Sequence, residues 1–243
     1  MYEDHSFKNN TAVIAALKAQ HGDEGLRMAV GGYWEWMGNL EASLLKIAGL
    51  RDGMRLIDLG CGSGRLAVVL AEQAKVAYHG IDIMPDLLDY ARKNTPSDFQ
   101  FSLVDKLEIP DADGVADMVC AFSLFTHLLH EETYTYLEEA KRVLKPGGVL
   151  VFSFLEFAFP SHWTIFNATQ KDTKAGVRTT LNVFFERAAI EAWAKHLDLQ
   201  VVRYIDGNSG DIAQLEKPLK SPDGTMKTAG NLGQSVCFLR KSG

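Results

Sequence analysis

The chain has 243 residues, a formal net charge of −6 and 47% hydrophobic residues. That is room for one large domain or one domain with an appended cap. The acidic balance argues against a nucleic-acid partner, which needs a basic face. No apolar run is long enough for a membrane span, so membrane insertion is not expected. The opening stretch MYEDHSFKNN is polar, without an apolar signal-peptide core. Three cysteines, Cys61, Cys120 and Cys237, cannot all pair and form no CxxC. Reduced thiols and a cytoplasmic location are the expectation.

In chain order, the first element is GGYWEWMGNLEASLLKIAGL, where Tyr33, Trp36, Met37, Leu40, Leu44 and Ile47 keep helical spacing. It forms part of an N-terminal helical cap over 1–53, and Trp34 lies off its main stripe. Gly31 and Gly32 before it suit a hinge, which makes an aromatic lid of Tyr33 and Trp34 a second reading of a simple packed helix. From residue 54 strands and helices alternate. MRLIDL (54–59) is a strand, RLAVVLAEQA (65–74) a helix and VAYHGID (76–82) a strand. Pro85 opens a helix that LLDYARK continues. FQFSLV (99–104) and VADMVCAF (115–122) are strands, and residues 131–144 place Tyr134, Leu137, Ala140, Val143 and Leu144 on one helical face. Lys145-Pro146-Gly147-Gly148 stops that helix before the strand VLVFSFL (149–155). Such alternation predicts an α/β fold, a doubly wound and mostly parallel sheet with helices on both faces.

The last third is less regular. Residues 160–180 carry few signals, RTTLNVFFE (178–186) reads as a strand, RAAIEAWAKHL (187–197) as a helix, and LQVVRYI (199–205) and SVCFLRK (235–241) as strands. Between these last two, residues 206–234 lack strong periodicity, which predicts a long functional or mobile loop.

The glycines of LIDLGCGSGR, at 60, 62 and 64, carry the chemistry. A dinucleotide fingerprint needs a third glycine where Arg65 stands, and a Walker loop needs Gly-Lys-Ser/Thr; both are absent. What remains is a tight turn whose bare backbone admits a close ligand. A small zwitterion suits it, with its carboxylate near the first amides of the next helix. Asp82 ends the second strand, at the crevice of a doubly wound sheet, where a carboxylate can hold two ribose hydroxyls. Asp105 ends the third, where it can take an adenine amine. Amino acid, ribose and adenine together describe S-adenosyl-L-methionine. Other readings exist: Asp58 as a cap of the turn, Asp82 in a helix N-cap region, Asp105 as an ordinary loop acid. Cys61 is small enough for the loop, and nothing near it resembles an activating base.

LIDLGCGSGR, GIDIMPDLLDYAR, the acid of LVDKLEIP, ADMVCAFSLFTHL and EEAKRVLKPGGVLVFS occur in this order. Residues 54–155 thereby resemble the class I S-adenosylmethionine-dependent methyltransferases. The resemblance implies a methyltransferase domain over 54–243, with variable insertions at 156–186 and 206–234. It implies a seven-stranded sheet whose last strand, SVCFLRK, is antiparallel. Gly60, Gly62 and Gly64 would form the cofactor loop with Cys61 among them, and Asp58 would orient it. Asp82 would hold the ribose, Ile83 the adenine face and Asp105 the adenine amine. Ala121 and Phe122 would border the methionine end. S-adenosyl-L-homocysteine would be the product.

The acceptor is written less clearly. In-line displacement at a sulfonium asks the enzyme mainly to align and desolvate, and a hydroxyl acceptor adds a proton to remove. His127, just past the fourth strand, is the candidate base; its other reading is a histidine that fixes the loop. Glu156 ends the fifth strand as a second candidate, and His162 and Trp163 open the variable region beside it. The stretch AFSL replaces the Asn/Asp-Pro-Pro-aromatic motif of base-amino enzymes. A small-molecule acceptor is therefore expected, oxygen ahead of nitrogen. The alternatives are a catalytically silent cofactor-binding or partner protein, and a nicotinamide-dependent reductase. The latter lacks its Tyr-x-x-x-Lys, since no tyrosine has a lysine four residues on.

Overall fold

A computed structural model describes residues 5–177 and 180–243. Helices α1 (His5–His21), α2 (Asp23–Met28) and α3 (Trp34–Ile47) come first. The alternating core follows: β1 (Arg55–Leu59), α4 (Arg65–Gln73), β2 (Ala77–Asp82), α5 (Pro85–Asn94), β3 (Gln100–Leu103), β4 (Ala116–Ala121), α6 (His130–Val143) and β5 (Leu144–Phe154). Then come α7 (Pro160–Lys174), α8 (Arg187–His196), β6 (Leu199–Ile205), β7 (Ala213–Lys220), β8 (Met226–Gly230) and β9 (Ser235–Lys241).

Seven strands form one sheet in the order β3-β2-β1-β4-β5-β9-β6. β1 to β5 pair in parallel, and β9 runs antiparallel to both β5 and β6. The chain winds outward from β1 through β2 to β3, then returns to β4 on the other side of β1. Strand order reverses there, and a crevice opens beyond the strand ends. Side-chain alternation splits the interior into two cores. On one face Leu56, Tyr78, Val151 and Phe238 pack with Leu40 and Leu45 of α3 and Leu70 of α4. On the other, Ile57, Val119, Phe152 and Phe154 pack with Leu137 of α6 and Ile190 of α8. α3 therefore shares the core of the sheet it was expected to cap. A third, small cluster joins Ile14 of α1 and Leu26 of α2 to Met84 and Leu87 at the start of α5.

The last third corrects three expectations. Residues 160–174 form a helix where the sequence carried few signals. The strand expected over 178–186 is reduced to a single parallel bridge of Phe184 to Leu155, with residues 178–179 outside those described. The loop expected over 206–234 holds the β7–β8 hairpin, which packs on α3 closely enough that a Cβ at Gly230 would stand 2.6 Å from the Trp36 ring.

Candidate active site

β1 delivers the chain into a turn on Gly60, Gly62 and Gly64, with φ of 70°, 56° and 78°. This is the left-handed region that glycine enters without strain. The turn is tied to β2: the Gly60 and Cys61 amides donate to the Ile81 carbonyl at 2.8 and 3.1 Å. The Gly62 amide donates to the Asp82 carboxylate at 2.8 Å, and the Met84 amide to its other oxygen at 2.9 Å. Each of those oxygens keeps a second lone pair, so Asp82 can shape the turn and still accept two ribose hydroxyls. Burial pushes its pKa up, opposed by the Met84, Gly62 and Ile83 amides. Ile83, beside it, is an exposed apolar side chain, as an adenine face requires. Asp105 is exposed on the same rim. A bare turn, a carboxylate with spare acceptor capacity and an open apolar face together fit S-adenosyl-L-methionine.

Other expected contacts fall elsewhere. Asp58 is buried beneath the turn, accepting the Tyr78 hydroxyl at 2.6 Å and the Cys120 thiol at 3.4 Å. It braces three strands and makes no bond to the loop. Burial, the largest cause, pushes its pKa up to about 7, against the pull of Tyr78. Cys61 turns inward, so that a Cβ at Gly80 would meet its Sγ at 2.8 Å. Burial drives the Cys61 and Cys120 thiols well above their ordinary range, which leaves them unreactive. Ala121 and Phe122 bury their side chains in opposite cores, leaving only backbone to face the crevice.

The N-terminal helices close over the turn. A Cβ at Gly62 would stand 2.7 Å from Cγ1 of Val30, in the α2–α3 linker. Arg65, the first residue of α4, donates to the Val30 carbonyl at 2.7 Å and pairs with the buried Glu41 of α3 through Nε and Nη2. Burial raises the Glu41 pKa and the Arg65 charge opposes that rise. Trp34 donates its indole N–H to Ser63 Oγ at 3.0 Å, which places it on the glycine turn. Tyr33, in contrast, is 59% exposed at the left-handed start of α3. Sequence reasoning missed Val30, Glu41 and Ser63, since nothing local announces contacts across more than twenty residues.

On the acceptor side, Ser123 lies two residues past β4, held at φ 56° with its amide on Ser153 Oγ at 2.7 Å. A turn of 3-10 helix, Phe125–His127, follows. His127 Nδ1 lies 2.7 Å from the Leu181 carbonyl. A carbonyl can only accept, so Nδ1 carries the hydrogen and neutral imidazole keeps its lone pair on Nε2. Residues 181–185 are themselves moored by Val183 N–H to the Thr126 carbonyl and Phe185 N–H to the Leu155 carbonyl, both at 2.8 Å. Glu156 does not face the crevice as a base. It is 2% exposed, with both oxygens committed to Arg187 at 2.9–3.3 Å and one also accepting from Ser235. His162 is likewise fully buried, its Nδ1 against the Glu156 backbone.

Comparison with known proteins agrees with this geometry. Residues 57–152 match the methyltransferase-domain family. A 27-O-demethylrifamycin SV methyltransferase of Amycolatopsis mediterranei is 32% identical over 106 residues, 42% of this chain and 38% of that one. Across curated relatives the match spans between 32% and 76% of their length. The fold is shared with a Haloferax volcanii methyltransferase solved with the Trm112 activator, at TM-score 0.64 and 19% identity over 95% of this chain and 98% of that one. It is also shared with the magnesium protoporphyrin IX methyltransferase of Synechocystis with bound SAH, at TM-score 0.58 and 17% identity over 86% and 85%. Residues 57–152 therefore carry a methyltransferase domain, on the fold that these solved methyltransferases share.

Proposed function

We propose that this enzyme methylates an oxygen of a small-molecule acceptor, with His127 as the base. The bound cofactor supplies an electrophilic methyl group on a sulfonium, which leaves as a neutral thioether. Asp82 takes the ribose hydroxyls, Ile83 packs on the adenine and Asp105 meets its amine. Backbone of the 60–64 turn holds the amino-acid end, near the carboxylate excess of Asp58 and Glu41 over Arg65. S-adenosyl-L-methionine would supply its methyl group to the acceptor oxygen, and His127 Nε2 would take the hydroxyl proton.

The observation that carries this reading is the His127 Nδ1 bond to Leu181, which presents Nε2 as the acceptor. The relative named for a 27-O-demethyl substrate supports oxygen and a small molecule. The test is release of S-adenosylhomocysteine against a panel of hydroxylated and amino metabolites. His127→Ala should lose about 10²–10⁴ in turnover with cofactor affinity unchanged. Near wild-type turnover in that variant removes the base role, and turnover confined to amines removes the oxygen acceptor.

A further inference from the structure

Beside the His127 wall stands a group of aromatic rings that the cofactor site does not use. Phe157 follows β5, Trp163 and Phe166 lie one turn apart on α7, and Phe184 belongs to the segment that fixes His127. Phe157 stacks on Phe184 at 4.5 Å between centroids and 14° between planes. Trp163 and Phe166 meet Phe157 edge-on or tilted at 5.3 and 5.2 Å, and Phe166 meets Phe184 at 5.7 Å and 88°. The Trp163 indole N–H is fastened to the Phe157 carbonyl at 2.8 Å.

A purely structural cluster of this kind would close over itself. Here Phe157 remains 37% exposed and Trp163 42%. Phe185, pointing the other way along the same segment, is 1% exposed in the core, and His162 on α7 is fully buried. The anchoring inward side chains are thus distinct from the rings left open. Those rings are rigid, lack charge and offer both faces and edges, the geometry in which aromatic pairs gain beyond simple area burial. Phe184 lies three residues after Leu181, whose carbonyl sets the His127 tautomer.

We propose that Phe157, Trp163, Phe166 and Phe184 form the acceptor subsite and that the acceptor carries a flat aromatic ring, its hydroxyl directed to His127. This rests on the methyltransferase reading of the same crevice. A saturated ring of equal size buries as much apolar surface but cannot stack, so the pair separates ring recognition from plain hydrophobicity.

The experiment is calorimetric titration of 2-naphthol and decahydro-2-naphthol into the full chain saturated with S-adenosylhomocysteine. The expected result is a preference of at least about tenfold for 2-naphthol. Phe157→Leu and Trp163→Leu, both at partly exposed positions, should reduce it below about threefold. S-adenosylhomocysteine binding by each variant reports that it is folded. Equal affinities, no binding of either compound, or an undiminished preference in both variants overturns the aromatic acceptor alone. Failure of the wild-type chain to bind S-adenosylhomocysteine overturns the methyltransferase reading and this proposal with it.

Discussion

Asp58 sits under the glycine turn with the Tyr78 hydroxyl on one oxygen, the Cys120 thiol on the other, and Glu41 and Arg65 in its field. Burial raises its pKa to about 7 in the folded chain, against about 3.9 when unfolded. Between about pH 4 and 7 the folded state therefore binds one proton more than the unfolded state. Stability from this group is greatest at the acid end and is lost as pH rises through that window, by at most about 1.4 kcal/mol per pH unit. Asp58→Asn keeps an acceptor for Tyr78 and removes the charge. Measured by urea unfolding without ligand, the variant should gain on wild type as pH goes from 5 to 7.5. A stability difference that does not change with pH would show that the carboxylate titrates normally. An acid two residues before a glycine turn was legible as a functional position. That its side chain points down into the sheet was not, because strand register decides it.

At the scale of elements, what was readable follows the range of the forces involved. The β1 turn, the acid ending β2 and the helix opened by Pro85 lie within some thirty residues and declare themselves through spacing. The 206–234 hairpin did not, although Ser221-Pro222-Asp223-Gly224-Thr225 is a turn sequence that could have found it; its strands are held by α3 packing rather than by their own alternation. The cover over the turn depends on the partnership of Arg65 with Glu41, whose side chains are 10% and 2% exposed. Breaking a buried pair leaves a charge uncompensated, so Glu41→Leu should lose about 3–5 kcal/mol. Trp34→Phe gives up one bond to Ser63 and should lose about 1 kcal/mol. Equal losses in the two variants, measured by denaturant unfolding, would mean that the ion pair does not organise the cover.

Over the whole molecule, a cofactor held on the glycine turn and Asp82 would link parts that are far apart in sequence. Its ribose would rest on Asp82 of β2, its amino-acid end on the turn after β1, and the α2–α3 linker with Val30 closes above. No helix among the described residues is long and apolar enough to cross a membrane. A ligand that binds only the folded state at about a hundred times its Kd adds about 2.7 kcal/mol. For a chain of this size each kcal/mol raises Tm by about 2–4 °C, so saturating S-adenosylmethionine or S-adenosylhomocysteine should raise it by roughly 5–11 °C. NAD and NADP should leave it unchanged, because the position that would admit a pyrophosphate beside the helix holds Arg65, turned back onto Glu41 and Val30. Gly62→Val should abolish the shift: a branched side chain at φ 56° is strained and stands in the space where Val30 and the ligand meet the backbone. A shift with NADP and none with S-adenosylhomocysteine would reverse the assignment of the turn. Equal shifts for wild type and Gly62→Val would place the cofactor elsewhere in the crevice.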